Sequence, residues 1–351
     1  MENKIIIALD CMGGDYAPQS VIEGIDYLDS NIKKDLFFLL YGDQIKINKY
    51  LSKYPEVKKI SKLIHTDTYI TGDDKPSLAI RKKDSSIRLM VDAVKNGEAH
   101  AGISAGNTGA LMAISKIVLK TIPGIDRPAL IQLIPNLLGR STALLDMGAN
   151  VDCDSTNLYQ FAIMGSAFYK SVYSFKNPKI AILNIGSEET KGNDSIKHAA
   201  SMLRESYLKN NFLGYIEGDD ITKGLVDVIV TDGFTGNVAL KSIEGASKLF
   251  ANLMKEGFTN SILSKIGYLL ASGGIKKAKK KIDHKQHNGA MLLGLNGIVV
   301  KSHGNADKIS FASAIKNTVN LVKNKINDEI ISGIQSYDLD KYTNNTLENN
   351  V

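Results

Sequence analysis

Short apolar segments alternate with longer segments of helical periodicity along most of the 351-residue chain, and this alternation constrains the fold more than any other feature. A short apolar run bounded by turn residues is typical of a buried strand, whereas apolar residues spaced three and four apart indicate a helix. The alternation predicts an α/β protein with a largely parallel sheet. The predicted strands are Lys4 to Leu9, Leu36 to Tyr41, Lys62 to His65, Ala101 to Ser104, Ala129 to Ile134, Thr142 to Leu145, Lys179 to Asn184, Val226 to Thr231 and Ile298 to Lys301.

Helical patterns follow most of these strands, and no linker with a sharp change of composition separates them. Residues 1–335 are therefore predicted to form a single domain, which includes an amphipathic basic segment at 257–282. Residues 336–351 are polar and are predicted to form a frayed tail. The predicted helices are Pro18 to Leu28, Ile87 to Lys95, Thr108 to Leu119, Ser155 to Tyr173, Asp194 to Tyr207, Gly236 to Met254 and Ala306 to Lys325.

Composition and charge exclude several classes of protein. Apolar residues make up 43% of the chain and charged residues 23%, which are globular values that exclude a disordered chain. The net charge is only +6, and the lysine cluster within 276–281 accounts for most of it, so nucleic-acid binding is not implied. Cys11 and Cys153 form no Cys-x-x-Cys pair, which predicts a reducing cytosol and no metal site. No apolar run reaches roughly 18 residues, so no membrane-spanning helix is predicted, and the first apolar run is too short for a signal peptide.

Gly-rich turns follow many of the predicted strands and precede predicted helices. A helix N-terminus presents unpaired N–H groups and the positive end of its dipole, so small polar turns at such positions favour an anion such as phosphate. Lys191 and Lys301 supply cations nearby in the sequence. For each turn alone, simple helix capping is the alternative, because Thr108 and Thr235 are ordinary capping residues. We expect the turns to converge on one anion site, and they span Asp10 to Asp15, Gly106 to Gly109, Asp146 to Asn150, Gly186 to Asn193 and Asp232 to Asn237.

One competing motif indicates a different chemistry. Residues 102–106 read Gly-Ile-Ser-Ala-Gly, which matches the nucleophile elbow of serine hydrolases and lies between a predicted strand and a predicted helix. Asp232 and His303 follow Ser104 in the triad order of that class, so a serine hydrolase or thioesterase is an alternative function. No dinucleotide or P-loop glycine signature is present, and no cofactor is predicted.

Seven segments in order resemble the bacterial phosphate acyltransferase family called PlsX. The resemblance implies transfer of a fatty acyl group from acyl-carrier protein to inorganic phosphate, which gives acyl phosphate for phospholipid synthesis. It further implies a cytoplasmic homodimer and a three-layer α/β/α fold with a single mixed, largely parallel sheet, similar to isopropylmalate dehydrogenase. A non-catalytic acyl-binding or lipid-binding module is a third alternative. The segments are IALDCMGGDYAP, SAGNTGALM, DRPAL, LDMGANVDCDS, LNIGSEETKGNDS, TDGFTGNVALKSIEG and LLGLNGIVVKSHG.

The resemblance also implies the site residues. Lys191 is the expected cation that neutralises phosphate or the developing oxyanion, Asn237 a neutral donor, and Asp232 a group that orients one of these or accepts a proton. Asp232 as a helix cap and His303 as an ordinary turn residue are the alternatives. The residues expected to contact phosphate or substrate are Gly13, Gly14, Asp15, Asn107, Thr108, Gly109, Asn150, Lys301 and His303.

Two positions depart from the family pattern. His287 stands where an aromatic residue such as Tyr is expected, and Cys11 stands where an aliphatic residue is commoner. Cys11 is therefore predicted to be a small buried residue and not a nucleophile.

An apolar stripe precedes the lysine cluster at helical spacing. Such a stripe followed by lysines is typical of a helix that lies on an anionic membrane surface. The alternatives are a helix packed in a dimer interface and a basic surface that docks the acidic carrier protein. Contact with the next acyltransferase of the pathway is a further expectation. The residues expected to contact the membrane are Phe258, Ile262, Ile266, Leu269 and Leu270.

Overall fold

The structure, a computed structural model, describes residues 4–282 and 289–336, except for the side chains of residues 276–282. Its strands are β1 (Ile5–Asp10), β2 (Leu36–Gly42), β3 (Ser61–His65), β4 (Ala101–Ser104), β5 (Ala129–Pro135), β6 (Ser141–Leu145), β7 (Ile180–Leu183), β8 (Phe212–Ile216), β9 (Val228–Val230), β10 (Ala290–Leu293) and β11 (Ile298–Lys301). Its helices are α1 (Gln19–Asp26), α2 (Ser30–Lys33), α3 (Gln44–Leu51), α4 (Pro55–Lys59), α5 (Pro76–Ala79), α6 (Ser86–Lys95), α7 (Thr108–Leu119), α8 (Ser155–Tyr173), α9 (Asp194–Glu205), α10 (Gly233–Thr259), α11 (Ile262–Ile282) and α12 (Lys308–Lys323), and residues 326–336 are also helical.

All these strands form one 11-stranded sheet in the order β3-β2-β1-β4-β11-β10-β5-β6-β9-β7-β8. Most neighbours are parallel, but β11 with β10, β10 with β5, and β5 with β6 are antiparallel pairs. Because three reversals separate the two parallel sets, β6, β7, β8 and β9 run opposite to β1, β2, β3, β4 and β11. The predicted single mixed, largely parallel sheet is confirmed.

Helices cover both faces of the sheet, as the alternation of buried side chains along the strands requires. In β1, Ile7 and Leu9 face a core that contains residues of α1, α8 and α12. Ala8 faces the opposite core, which contains residues of α6, α7 and α10. Helices exclude water from both faces of the sheet. The strands are therefore short, continuous apolar runs, without the alternation of polar and apolar residues that a half-exposed sheet would have. The result is the predicted three-layer arrangement.

The nine predicted strands and seven predicted helices all exist, with ends that shift by a few residues. Strands β8 and β10 and the short helices α2 to α5 were not predicted. Cys11 is fully buried in the first core, as predicted. His287 and nearly all of the predicted tail, 336–351, lie outside the described residues.

Candidate active site

The polar turns form two groups that leave the sheet in opposite directions. The turns after β1, β4 and β11 form one group, which we call the first edge, and the turns after β6, β7 and β9 form the other, the second edge. The antiparallel strands β10 and β5 cause this reversal. The register nevertheless aligns Ser104, Lys301, Ala290, Gln132 and Leu144 in one row, so the two groups begin at the same level of the sheet. The expectation that the turns converge on one anion site stays a prediction.

At the first edge, Asp10 is a buried carboxylate at the end of β1. It accepts hydrogen bonds from the hydroxyls of Ser86 and Ser104, each at 2.7 Å, and from the backbone N–H of Met12 at 3.1 Å. Burial raises the pKa of Asp10, and these hydrogen bonds oppose the rise. Asp10 thus ties together β1, α6 and β4 beneath the glycine turn.

Gly13 and Gly14 act as packing positions in this turn. A Cβ atom on Gly13 would lie 2.6 Å from the backbone nitrogen of Gly106, so only glycine allows the two turns to touch. Gly14 has a φ of +100°, and the N–H of Asp15 donates to the carbonyl of Gly304 at 2.8 Å. These glycines join the turn after β1 to the turns after β4 and β11.

The same geometry contradicts the hydrolase alternative. Ser104 is fully buried, donates its hydroxyl proton to Asp10 and accepts the N–H of Gly106 at 3.0 Å. Asp232 lies at the second edge, on the other side of the antiparallel strands. Ser104 is therefore a structural link and has neither the exposure nor the neighbours of a nucleophile elbow.

Asn107 caps α7 and holds the preceding loop against it. Its side-chain oxygen accepts the N–H of Ala110 at 3.0 Å, and its amide nitrogen donates to the carbonyls of Gly72 at 2.9 Å and Asp74 at 3.0 Å. The Asn107 side chain is thus occupied by backbone partners. Thr108 and Gly109 of the same turn line the cavity described below, and Asn107 does not, so substrate contact at this turn stays a prediction.

At the second edge, Asp146 is a second buried carboxylate with a comparable task. It accepts the N–H groups of Leu130, Ala149 and Asn150 at 2.9, 3.0 and 2.7 Å, and the Asn150 amide at 2.9 Å. The same Asn150 amide donates to the carbonyl of Pro128 at 2.8 Å. Burial raises the pKa of Asp146. The Asn150 side chain therefore already has partners within this turn, and its predicted contact with substrate stays a prediction.

Asp232 is the N-cap of α10, which was the alternative role considered for it. Its carboxylate accepts the N–H of Thr235 at 2.8 Å and the hydroxyl of the same residue at 2.7 Å. The helix that it caps carries Asn237 and Lys241 within its first three turns, and both residues line the cavity. Asp232 thus fixes the start of the helix that brings these side chains to the site.

A cavity of about 370 Å³ lies over β11, β10 and β5, between α7 and α10. It joins residues from both edges because the register places the ends of β4, β11 and β6 within one residue of the same row. Of the predicted site residues, Thr108, Gly109, Asn237, Lys301 and His303 line it. The other lining residues, which were not predicted, are Met112, Leu130, Gln132, Met147, Gly148, Leu240, Lys241, Ala290 and Ser302. Gln132 could have been identified from the sequence as a candidate site residue, because it is a polar residue inside the apolar run ALIQLIP.

Lys301 brings positive charge to this cavity from the end of β11. Its Nζ donates to the carbonyl of Ala105 at 3.4 Å and to the carbonyl of Ser302. Burial lowers the pKa of Lys301 to about 8, while the negative charges of Asp10 and Asp15 oppose this fall and Lys241 adds to it. Among the residues that the structure describes, no carboxylate forms a salt bridge with this largely buried ammonium group, so the group is suited to receive an anion.

Comparison with known proteins assigns the family. The sequence model of the family described as "Fatty acid synthesis protein" matches residues 5–329. The chain is 49% identical to a "Phosphate acyltransferase" of Rhodospirillum centenum over 94% of this chain and 93% of that protein. It is 48% identical to a "Phosphate acyltransferase" of Ehrlichia canis over 93% of this chain and 98% of that protein. The chain belongs to the phosphate acyltransferase family.

Solved structures show the same fold at much lower sequence identity. A phosphotransacetylase from Streptococcus pyogenes superposes with a TM-score of 0.62 at 16% identity, covering 92% of this chain and 95% of that one. A branched-chain phosphotransacylase from Enterococcus faecalis gives a TM-score of 0.53 at 13% identity, covering 91% of this chain and 99% of that one. The resemblance to phosphate acyltransferases noted in the sequence is confirmed, and the chain is an acyltransferase.

Lys191 lies apart from the residues that line the cavity. It follows β7, which lies two strands beyond β6 in the sheet, and its side chain is exposed. It shares the second edge with Asn237, so its expected role in this acyltransferase stays a prediction.

The predicted membrane-contact residues lie on a helical hairpin formed by α10 and α11. Ile262, Leu269 and Leu270 are exposed by 78%, 74% and 85%, Ile266 is also exposed, and the Phe258 ring lies 5.4 Å from that of Tyr268. None of the helices in the described part of the chain has the length and apolar character needed to cross a bilayer. The hairpin therefore presents an uncovered apolar surface beside the backbone of the lysine cluster.

Proposed function

We propose that the chain transfers a fatty acyl group from acyl-carrier protein to inorganic phosphate. The observation that carries this proposal is the cavity, which combines the cation Lys301, the donors Thr108 and Asn237, and a wall of apolar side chains. In the reaction a phosphate oxygen attacks the thioester carbonyl carbon, the C–S bond breaks, and the carrier thiolate leaves and takes up a proton. An enzyme for this step needs to hold a dianion, orient it and stabilise an oxyanion.

Within this proposal, Lys301 and His303 hold phosphate at the first-edge end of the cavity. The amide of Asn237 donates to the thioester oxygen as negative charge develops there. Asp232 is a positioning residue, since it caps the helix that carries Asn237. Lys191, at the second edge, adds positive potential from outside the lining of the cavity.

The test is release of carrier thiol from palmitoyl-carrier protein with and without phosphate. We expect thiol to appear only with phosphate and in equal amount to acyl phosphate. Thiol release at the same rate without phosphate would instead establish a thioesterase. Stable binding of the acyl-carrier protein without turnover would establish a binding module.

We also propose that the α10–α11 hairpin attaches this cytoplasmic enzyme to anionic membrane. Exposed leucine and isoleucine side chains supply apolar burial in the headgroup region, and lysines 276–281 follow them in the same helix. Each lysine close to the surface contributes about 1 kcal/mol of attraction to anionic lipid. A homodimer through the same hairpin is the alternative for this surface.

The double variant Leu269→Glu with Leu270→Glu is expected to lose co-sedimentation with anionic liposomes, because it places carboxylates in the apolar stripe. Activity on soluble substrate should stay within about twofold, since neither residue lines the cavity. The matched control is Leu213→Glu, an exposed leucine on β8. Unaltered sedimentation of the double variant together with a dimer that dissociates would assign the hairpin to the dimer interface.

A further inference from the structure

We propose that the apolar wall of the cavity, formed by Met112, Leu130, Met147 and Leu240, binds the part of the acyl chain that lies beyond the length of a butyryl group. This inference rests on the proposed acyl transfer and assigns a chain-binding subsite that sets the preference for acyl length. We call these four residues the acyl wall.

The strand register places the acyl wall directly beside the charged end of the cavity. Lys301 pairs with Ala290 across β11 and β10, so cation and methyl group stand on neighbouring strands about 4.8 Å apart. Met291 pairs with Ile131, which puts Gln132 next to Ala290. Leu130 lies two residues along β5, about 7 Å further from Lys301 on the same face. Along these strands, the side chains that face the cavity therefore change from Lys301 and Gln132 to the apolar Leu130, while the donor Asn237 enters from α10 beside Gly148.

That change of polarity matches the two sides of the reacting group. The thioester carbonyl has phosphate on one side in the transition state and an alkyl chain on the other. With phosphate at Lys301, the carbonyl carbon lies near Ala290 and Gln132, and the alkyl chain continues toward Leu130.

The acyl wall also differs from ordinary core in that it borders empty space. Leu130, Met147 and Leu240 are exposed by only 7%, 4% and 5% and belong to the core of this face, yet all three line the cavity. Apolar surface that faces a cavity forgoes dispersion contacts, which an alkyl chain restores. Two of the four residues are methionines, whose unbranched side chains adapt to a flexible ligand.

Met112 offers the sharpest test, because it is only half-buried and tolerates substitution better than its neighbours. Met112→Trp fills the space beside the wall, and Met112→Gln keeps the side-chain length but makes it polar. For both variants we expect kcat/KM with palmitoyl-carrier protein to fall by roughly tenfold or more, the scale of methylene discrimination in apolar pockets. With butyryl-carrier protein the fall should be within about twofold, and the phosphate KM should not change.

The matched controls are Met202→Trp and Met202→Gln, which alter a half-buried methionine on α9 outside the cavity. We expect them to leave the ratio of palmitoyl to butyryl kcat/KM unchanged. Equal losses for both chain lengths in the Met112 variants would overturn the acyl wall. A wild-type enzyme that releases thiol without phosphate would overturn the proposed function itself, so the two failures are distinguishable.

Discussion

The variant Lys301→Met is expected to lower kcat/KM for phosphate by roughly 10²- to 10³-fold, the loss seen when one preorganised charge-stabilising group is removed from an active site. Methionine keeps the aliphatic stem and removes the ammonium group. Because burial already disfavours the charged lysine, the melting temperature should stay the same or rise. Steady-state kinetics at varied phosphate, together with thermal denaturation, measure both effects.

Lys191→Met is the matched control, since it makes the same chemical change at the second edge. We expect a smaller loss than for Lys301→Met and little change in the phosphate KM. If Lys191→Met raises the phosphate KM and Lys301→Met does not, the phosphate cation is Lys191.

The same assignment has a consequence for pH. Phosphate binding should weaken as pH rises through the pKa of Lys301, about 8, because the ammonium loses its charge. Asp10 raises this pKa, so Asp10→Asn should move the alkaline limb of kcat/KM to lower pH. Asp15 and Lys241 remain as charges that face Lys301. Asp146→Asn, which alters a buried carboxylate at the second edge, should leave the limb in place.

The largest expected effect on stability comes from Gly236→Ala. A Cβ atom at this position would lie 1.9 Å from the backbone carbonyl oxygen of Asp146 and 3.0 Å from the Cγ2 of Thr231. The nearest atom belongs to the backbone, and the Thr231 methyl group belongs to a short buried side chain, so neither can easily move and α10 would be displaced from the end of β6. We expect the free energy of unfolding to fall by at least about 3 kcal/mol, measured by urea denaturation.

Gly245→Ala in the same helix provides the control. A Cβ atom at Gly245 meets nothing within 4 Å, so alanine only improves helix propensity. We expect it to stabilise the protein by about 0.5–1 kcal/mol. Similar unfolding free energies for the two variants would show that the close approach of α10 to Asp146 does not constrain the fold.

Secondary structure was predictable where the hydrophobic pattern and the residues that bound it indicate the same element. Strand β4 and helices α7 and α8 begin and end at the predicted residues, because each is a clean apolar run or period bounded by Gly, Asn, Asp or Ser. Strand β8 was missed because Gly214, with a φ of +89°, interrupts its apolar run. Strand β10 was missed because its apolar run, MLL at 291–293, is too short to be assigned to a strand on its own, and the predicted strand β11 follows closely.

The direction of the strands was not predictable, and this decided the layout of the site. A buried strand such as β6 has the same apolar composition in either direction, so the sequence carries no sign of the reversal at β10 and β5. Polar turns such as Asp10 to Asp15 and Asp146 to Asn150 were read correctly as turns. Their buried aspartates serve the packing of the turns themselves, which residue types alone do not distinguish from ligand contacts.

The order of strands in the sheet also governs when the enzyme becomes complete during synthesis. Strands β1 to β4 form one half-sheet and β5 to β9 another, each from a continuous stretch of chain. Only the hairpin of β10 and β11 joins them, and β11 pairs with β4 from roughly 200 residues further along, a long-range contact that forms slowly. Until residues 290–301 leave the ribosome, β4 and β5 each lack a neighbouring strand, and strands of other chains can pair with them. Lys301 and Ala290 arrive on that hairpin, so a nascent chain lacks part of the proposed site, and keeps two unpaired strands, until this hairpin is inserted.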